Sequence, residues 1–287
     1  MERPNIRVVV FSSHVARGAV GNRAIVFALE TLGIPVWAVP TIQLPWHPGH
    51  GKATRIVADN AAFASLVHDL ERQLDPRNPV AVLSGYLGDA AQAEPIARFV
   101  ATARRRGALA TYMCDPVLGD HGGLYVPNAV ASAIRHDLLP LADIATPNRF
   151  ELGWLTDAGE AETVTQTIAQ AHQLGPAAVL ATSAPSMMAG SLGNIHVTTN
   201  AVHNAEHRVI TSVPHGTGDL LAALFLAHTL LGRTSNQALG LTTAAVYAMA
   251  RRAADANAPD FQLAHDRDLL FKQTGMAVRQ IMTVKQG

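Results

Sequence analysis

Short, unbroken apolar runs recur along the chain at 8–11, 36–40, 80–84, 110–114, 143–146 and 178–182. Continuous rather than alternating hydrophobicity predicts strands buried on both faces of a parallel sheet. Between them, residues 21–32, 53–74, 89–106 and 161–174 are rich in Ala, Leu, Glu and Arg and predict helices. Gly33, Gly107 and Gly175 sit where three of these helices should end, as a left-handed C-terminal cap requires. Strand–helix alternation of this kind implies right-handed crossovers and a three-layer α/β fold, a central, mostly parallel sheet flanked by helices. From Thr217 the pattern turns helical through most of the C-terminus. With no internal repeat, low-complexity tract or linker-like run, residues 1–287 read as one domain.

In an open parallel sheet, ligands bind beyond the carboxyl ends of the strands. The residues expected there are polar: Ser12-Ser13-His14, Ser84-Gly85-Tyr86, Asp115-Pro116, Pro147-Asn148 and Ser183. Any one of them could be only a helix cap, but five on one edge point to a site. In Pro214-His215-Gly216-Thr217-Gly218-Asp219, two glycines flank a threonine at the start of an apolar helix. They leave backbone N–H groups exposed at its positive end, a geometry suited to a phosphate or a developing anion. Asp219 in the first turn is either an ordinary partner of the helix dipole or a base that accepts the proton of an attacking hydroxyl.

Asp115 and Asp120 lie five residues apart just beyond a strand, and Asn148 and Glu151 open the next helix. Hard oxygen ligands of this type suit Mg²⁺. Asn148 with Glu151 also has the form of a capping box, and both readings can hold. The Ser13–Ala24 segment has the spacing of neither a dinucleotide fingerprint nor a Walker A loop.

Composition narrows the choice further. Lys+Arg and Asp+Glu both number 22, so no basic footprint suggests nucleic acid or an anionic membrane. The single cysteine, Cys114, cannot build a disulfide framework and reads as a small core residue. The N-terminal apolar run is too short for a signal peptide, and the run from Leu220 to Leu231 too short for a bilayer. A cytoplasmic protein is expected. His47/His50 and His203/His207 are read as solvated loop histidines, since neither pair has an evident third metal ligand.

Taken together, SHVARGAVGNRA (13–24), LSGYLG (83–88), CDPVLGD (114–120), LADIATPNRFEL (141–152) and HGTGDLLAALFLAH (215–228) resemble the pyridoxal kinases of the ribokinase-like superfamily. The likeness covers most of residues 8 to 250 and implies a ribokinase-like fold. It implies ATP as phosphoryl donor, Mg²⁺, often K⁺, and a cytoplasmic homodimer acting on small molecules. By position, it makes Asp219 the catalytic base and Gly216, Thr217 and Gly218 the anion hole. Ser13, Tyr86 and, on the substrate-side segment, His47 fall on the vitamin's side. Asp115, Asp120, Asn148 and Glu151 surround the nucleotide phosphates and metal ions, Thr146 contacts a monovalent cation, and Thr182 and Ser183 contact the nucleotide.

One segment departs, within a substrate-side loop or lid expected at 41–53. Where the family reads VQFSNHTGY, this chain reads Ile42-Gln43-Leu44-Pro45-Trp46-His47-Pro48-Gly49-His50. Pro48 replaces a threonine that binds the pyridine and supplies neither hydroxyl nor N–H. Such a loss can shift specificity by orders of magnitude. The expected reaction is phosphorylation of the 5′-hydroxymethyl of pyridoxal, pyridoxine or pyridoxamine. A kinase for a related heteroaromatic alcohol such as hydroxymethylpyrimidine stays open, as does a non-catalytic binder of vitamin B6 or nucleotide.

Overall fold

Nine strands form one sheet in a computed structural model that describes residues 6–272 and 274–283. Residues 1–5, the start of the stretch expected to carry no signal peptide, residue 273, and 284–287, the end of the expected single domain, lie outside the described residues. The strands are β1 (Arg7–Val15), β2 (Val36–Leu44), β3 (Val80–Ser84), β4 (Leu109–Cys114), β5 (Gly119–Asp120), β6 (Gly123–Leu124), β7 (Ile144–Ala145), β8 (Ala178–Pro185), β9 (Ser191–Thr198), β10 (Ala201–Arg208) and β11 (Val278–Thr283). Their order is β11-β10-β9-β8-β7-β4-β3-β1-β2, with β5 and β6 forming a separate small hairpin. From β2 to β8 every pairing is parallel, and from β8 to β11 every pairing is antiparallel.

The main helices are α1 (Asn22–Thr31), α2 (Asn60–Glu71), α3 (Ala93–Arg105), α4 (Asn128–Ala133), α5 (Arg149–Leu155), α6 (Val164–Leu174), α7 (Thr217–Leu230) and α8 (Ser235–Asp255). Successive strand residues serve opposite layers, as the pleat requires. Val8 and Val10 join Ile25, Leu224 and Met249 under α1, α7 and α8. Val9 and Phe11 join Phe63, Phe99 and Val130 under α2, α3 and α4. Helix α7 is buried on every side from Leu220 to His228, which explains why its apolar run has no polar stripe.

The expected strands all form, with changed edges. β1 continues to Val15 through an irregularity between Ser12 and His14, so Ser12, Ser13 and His14 are strand residues rather than residues after it. β2 runs to Leu44, so the substrate-side loop starts at Pro45 and not at residue 41. Helix α2 starts at Asn60, capped by Asp59, because Ile56 instead pairs with Gln43 through backbone hydrogen bonds of 2.8 and 3.0 Å. The antiparallel strands β9, β10 and β11 have no counterpart among the runs that hydrophobicity picked out. Among the described residues no helix is long and apolar enough to cross a membrane.

Candidate active site

Backbone hydrogen bonds carry the polar residues into register along the carboxyl edge. Gly85 N–H donates to Phe11 O, Asp115 N–H to Ser84 O and Thr146 N–H to Cys114 O, at 2.8, 2.8 and 3.0 Å. Each residue just past a strand is thereby held by the neighbouring strand. Beside Asp115, Cys114 is fully buried, and burial pushes its thiol up to about 12, so it is the inert core residue expected.

Helix α7 begins at Gly216, which holds the left-handed conformation at φ 96°. A Cβ there would collide with the carbonyl oxygen of Ala19, so the β1–α1 connection lies directly on the glycine. No side chain caps α7, which leaves the N–H groups of its first turn for another acceptor. Asp219, in that turn, accepts a 2.9 Å hydrogen bond from Gly21 N–H instead. Its carboxyl is half-buried, and burial pushes it up to about 6 against the pull of that N–H. A carboxylate poised near neutrality at the foot of an uncapped helix stands where either a dipole partner or a proton acceptor would be placed.

Asp115 is buried, and its Oδ1 accepts from Thr146 Oγ1 at 2.8 Å. Its Oδ2 is buried without a hydrogen-bond partner among the described residues. Burial raises this carboxyl well above its usual range, and the charges of Glu151 and Asp219 raise it further. Glu151 sits in the expected capping box, exchanging hydrogen bonds of 2.8 and 2.9 Å with Asn148. It also accepts from Leu118 N–H at 2.8 Å, and burial still pushes it up to about 7. Asn148 reaches on to Gly119 O at 2.8 Å. Asp120 is exposed in the β5–β6 hairpin, where its Oδ1 accepts from Gly122 N–H, yet its charge registers on Glu151.

Thr182, Ser183, Thr217 and Gly218 meet in one cavity of about 200 Å³. Ser183 lies in β8 and adopts φ 51°, at an irregularity that frees Thr182 N–H to reach Pro147 O at 2.9 Å. His207 and Tyr247 line the same cavity, with ring centroids 5.5 Å apart.

Toward β1 and β2, Ser13 is buried with its Oγ packed against Gly21. Tyr86 follows β3, and its hydroxyl accepts from Arg55 at 3.2 Å. His47 caps a short turn, Pro48–His50, by accepting from Gly49 N–H at 3.1 Å.

The histidines correct the solvated-loop expectation. His47 stacks on His215 with centroids 3.9 Å apart, and His50 pairs with Asp260 at 3.1 Å. His203 and His207 are partly buried on β10. Sequence reasoning also missed Tyr125. Tyr125 is 52% exposed as a residue, but burial of its hydroxyl end, then the charges of Glu151, Asp115, Asp219 and Asp120, raise that hydroxyl, so it faces the acidic cluster.

A mostly parallel sheet with helices on both faces, its edge closed by an uncapped glycine-led helix and an acidic cluster, is the layout of a small-molecule kinase. The family model described as phosphomethylpyrimidine kinase matches residues 59–262. A pyridoxal kinase of Rubrobacter xylanophilus is 36% identical over 284 residues, spanning 96% of this chain and 98% of that protein. A pyridoxine/pyridoxal/pyridoxamine kinase of Bordetella avium is 36% identical over 242 residues, 81% of this chain and 80% of that one. In structure, the pyridoxal kinase of Leishmania donovani in complex with ADP and pyridoxamine superposes with a TM-score of 0.87 at 24% identity, covering 96% of this chain and 100% of that one. The fold is ribokinase-like. The chain belongs to the pyridoxal kinase family.

Proposed function

We propose that the protein transfers the γ-phosphoryl group of ATP to the 5′-hydroxymethyl oxygen of pyridoxal, pyridoxine or pyridoxamine. The observation that carries this reading is Asp219, turned away from its own helix and raised to about 6 beside the unplugged N-terminus of α7. Asp219 takes the hydroxyl proton as the substrate oxygen bonds to phosphorus and the bond to the bridging oxygen of ADP breaks. The N–H groups of Gly216, Thr217 and Gly218 face the charge that develops on the transferring group. Thr182, Ser183 and Thr217 hold the nucleotide in the cavity between β8, α7 and α8, with Asn148 at its edge. Ser13, Tyr86 and His47 take the ring of the vitamin.

The donor set fits Mg²⁺ bound with the nucleotide. Asp115 keeps one buried carboxylate oxygen free, and no three His, Cys, Asp or Glu side chains among the described residues form a metal cage alone. Mg²⁺ commonly takes one or two carboxylates, phosphate oxygens and waters. Asp115 would be its direct ligand, with Asp120 and Glu151 around it; bound there, the ion neutralises phosphate charge. Thr146 holds Asp115 and would lend its remaining lone pairs to a monovalent cation such as K⁺. The family resemblance supports a cytoplasmic homodimer.

Pro48 and the phosphomethylpyrimidine kinase model favour one second reading, phosphorylation of a hydroxymethylpyrimidine. ADP release measured across the three vitamers and a set of hydroxymethylpyrimidines separates the two. Turnover on the vitamers is expected. Turnover confined to pyrimidines refutes the vitamer reading, and tight binding with no turnover refutes catalysis.

A further inference from the structure

His215 is the last residue before the anion hole, yet it packs against a distant turn. Its ring lies 3.9 Å from that of His47 and inclined by 28°, a stacked pair. Gly49 approaches the same ring so closely that a Cβ there would stand 2.6 Å from His215 Nε2. A second tie binds the same turn from another side, where His50 Nε2 meets Asp260 Oδ1 at 3.1 Å. The backbone adds a third, since Ala16 and Arg17 N–H groups donate to Leu44 O and Pro45 O at 2.9 and 2.8 Å. Three separate segments therefore clamp residues 45–50. His215, the residue that precedes the α7 cap Gly216, is tied to that clamp.

We propose that His215 is a positioning residue that holds the Trp46–His50 turn closed over the substrate side of the cleft through its stack on His47. This rests on the kinase reading above. The turn lacks the polar side chain at Pro48, so it has no hydroxyl of its own with which to grip a bound ring. Stacking from the phosphate side supplies the missing restraint. Burial, then the nearby rings of His215 and His50, hold His47 down to about 4, with Asp260 opposing; a neutral imidazole stacks without charge repulsion. His215 itself is exposed and contributes nothing to the core, so its replacement leaves the fold standing.

The test compares His215→Ala with His215→Phe, which keeps a flat ring. An aromatic pair of this kind is worth about two- to tenfold in an equilibrium. In His215→Ala, KM and the dissociation constant for pyridoxal should rise by that factor, while the dissociation constant for ATP stays within twofold. His215→Phe should restore the wild-type values. Hydrogen exchange of the backbone amides of residues 46, 47 and 49–52 in the ligand-free protein should quicken in the Ala variant and recover in the Phe variant. His47→Ala combined with His215→Ala should be no worse than the more affected single variant. Independent, multiplying effects, or a Phe variant no better than Ala, would overturn the proposal. The exchange and binding ratios read the role of His215 even if the wild type turns over no vitamer, which is the failure of the kinase reading instead.

Discussion

Replacing Asp219 with Asn keeps the side chain's shape and an oxygen for the Gly21 N–H, and removes its basicity and charge. The pKa of this carboxyl rises from 3.8 to about 6 in the fold. A shift of about two units means that ionised Asp219 destabilises the ligand-free protein by up to about 3 kcal/mol well above pH 6. At about 2–4 °C per kcal/mol for a chain of this class, Asp219→Asn should melt at least as high as the wild type at pH 8, and up to several degrees higher. Turnover should move the other way, because a positioned general base is worth about 10²–10⁴ in rate. Removing a negative charge beside the phosphates leaves ATP binding measurable or tighter. An Asp that only complements the α7 dipole predicts the opposite pair of results, normal kcat and a loss of about 0.3–1 kcal/mol of stability. Differential scanning calorimetry and coupled ADP release on one preparation decide the matter. A kcat within tenfold of wild type, with a lowered melting temperature, refutes the base assignment.

The two glycines of the anion hole should respond differently, because Gly216 is left-handed against Ala19 O while a Cβ at Gly218 meets nothing within 4 Å. Gly216→Ala should cost at least about 1–2 kcal/mol of stability as well as activity, whereas Gly218→Val should melt close to wild type and lose on the order of 10²–10³ in kcat; normal turnover in Gly218→Val would remove it from the hole. With pH, the raised carboxyl of Asp219 gives stability below pH 3.8 that is lost as pH rises through about 6, so the melting temperature of Asp219→Asn minus that of wild type should grow across that window and then level off. His196 and His228, lowered from 6.5 to about 4 by burial, act in the reverse sense, losing stability as pH falls, but alike in both proteins, so a flat difference curve would contradict the burial of Asp219.

The parallel half of the sheet was legible because both faces of its strands are covered, which writes itself as unbroken apolar runs. The antiparallel half was not. Asn194 and His196 on β9 face α8 and α7, where Asn194 donates to Thr243 and His196 packs on Phe225, so polar residues occupy buried positions and break the pattern. The edge residues Asp115, Asn148 and Asp219 were legible because each lies just beyond a strand or opens a helix, whereas Thr182 came only with the family resemblance. His215 was not, since its stack on His47 joins segments that no local spacing connects.

The acidic cluster shows what the sequence alone could not rank. Asp115, Asp120 and Glu151 looked equivalent as oxygen ligands, but the hydrogen bonds divide them. Glu151 accepts from the N–H groups of Leu118 and Asn148 at 2.8 Å each, so it fixes the loop after β4 onto the start of α5. Asp120 shapes a hairpin at the surface. Asp115 alone is aligned by Thr146 on one oxygen and left unserved on the other, inside a buried site already crowded with negative charge. A buried carboxylate oxygen without a partner is costly. On the kinase reading proposed above, a bound cation would satisfy that oxygen, with Asp115 as its ligand and Glu151 and Thr146 holding the geometry around it.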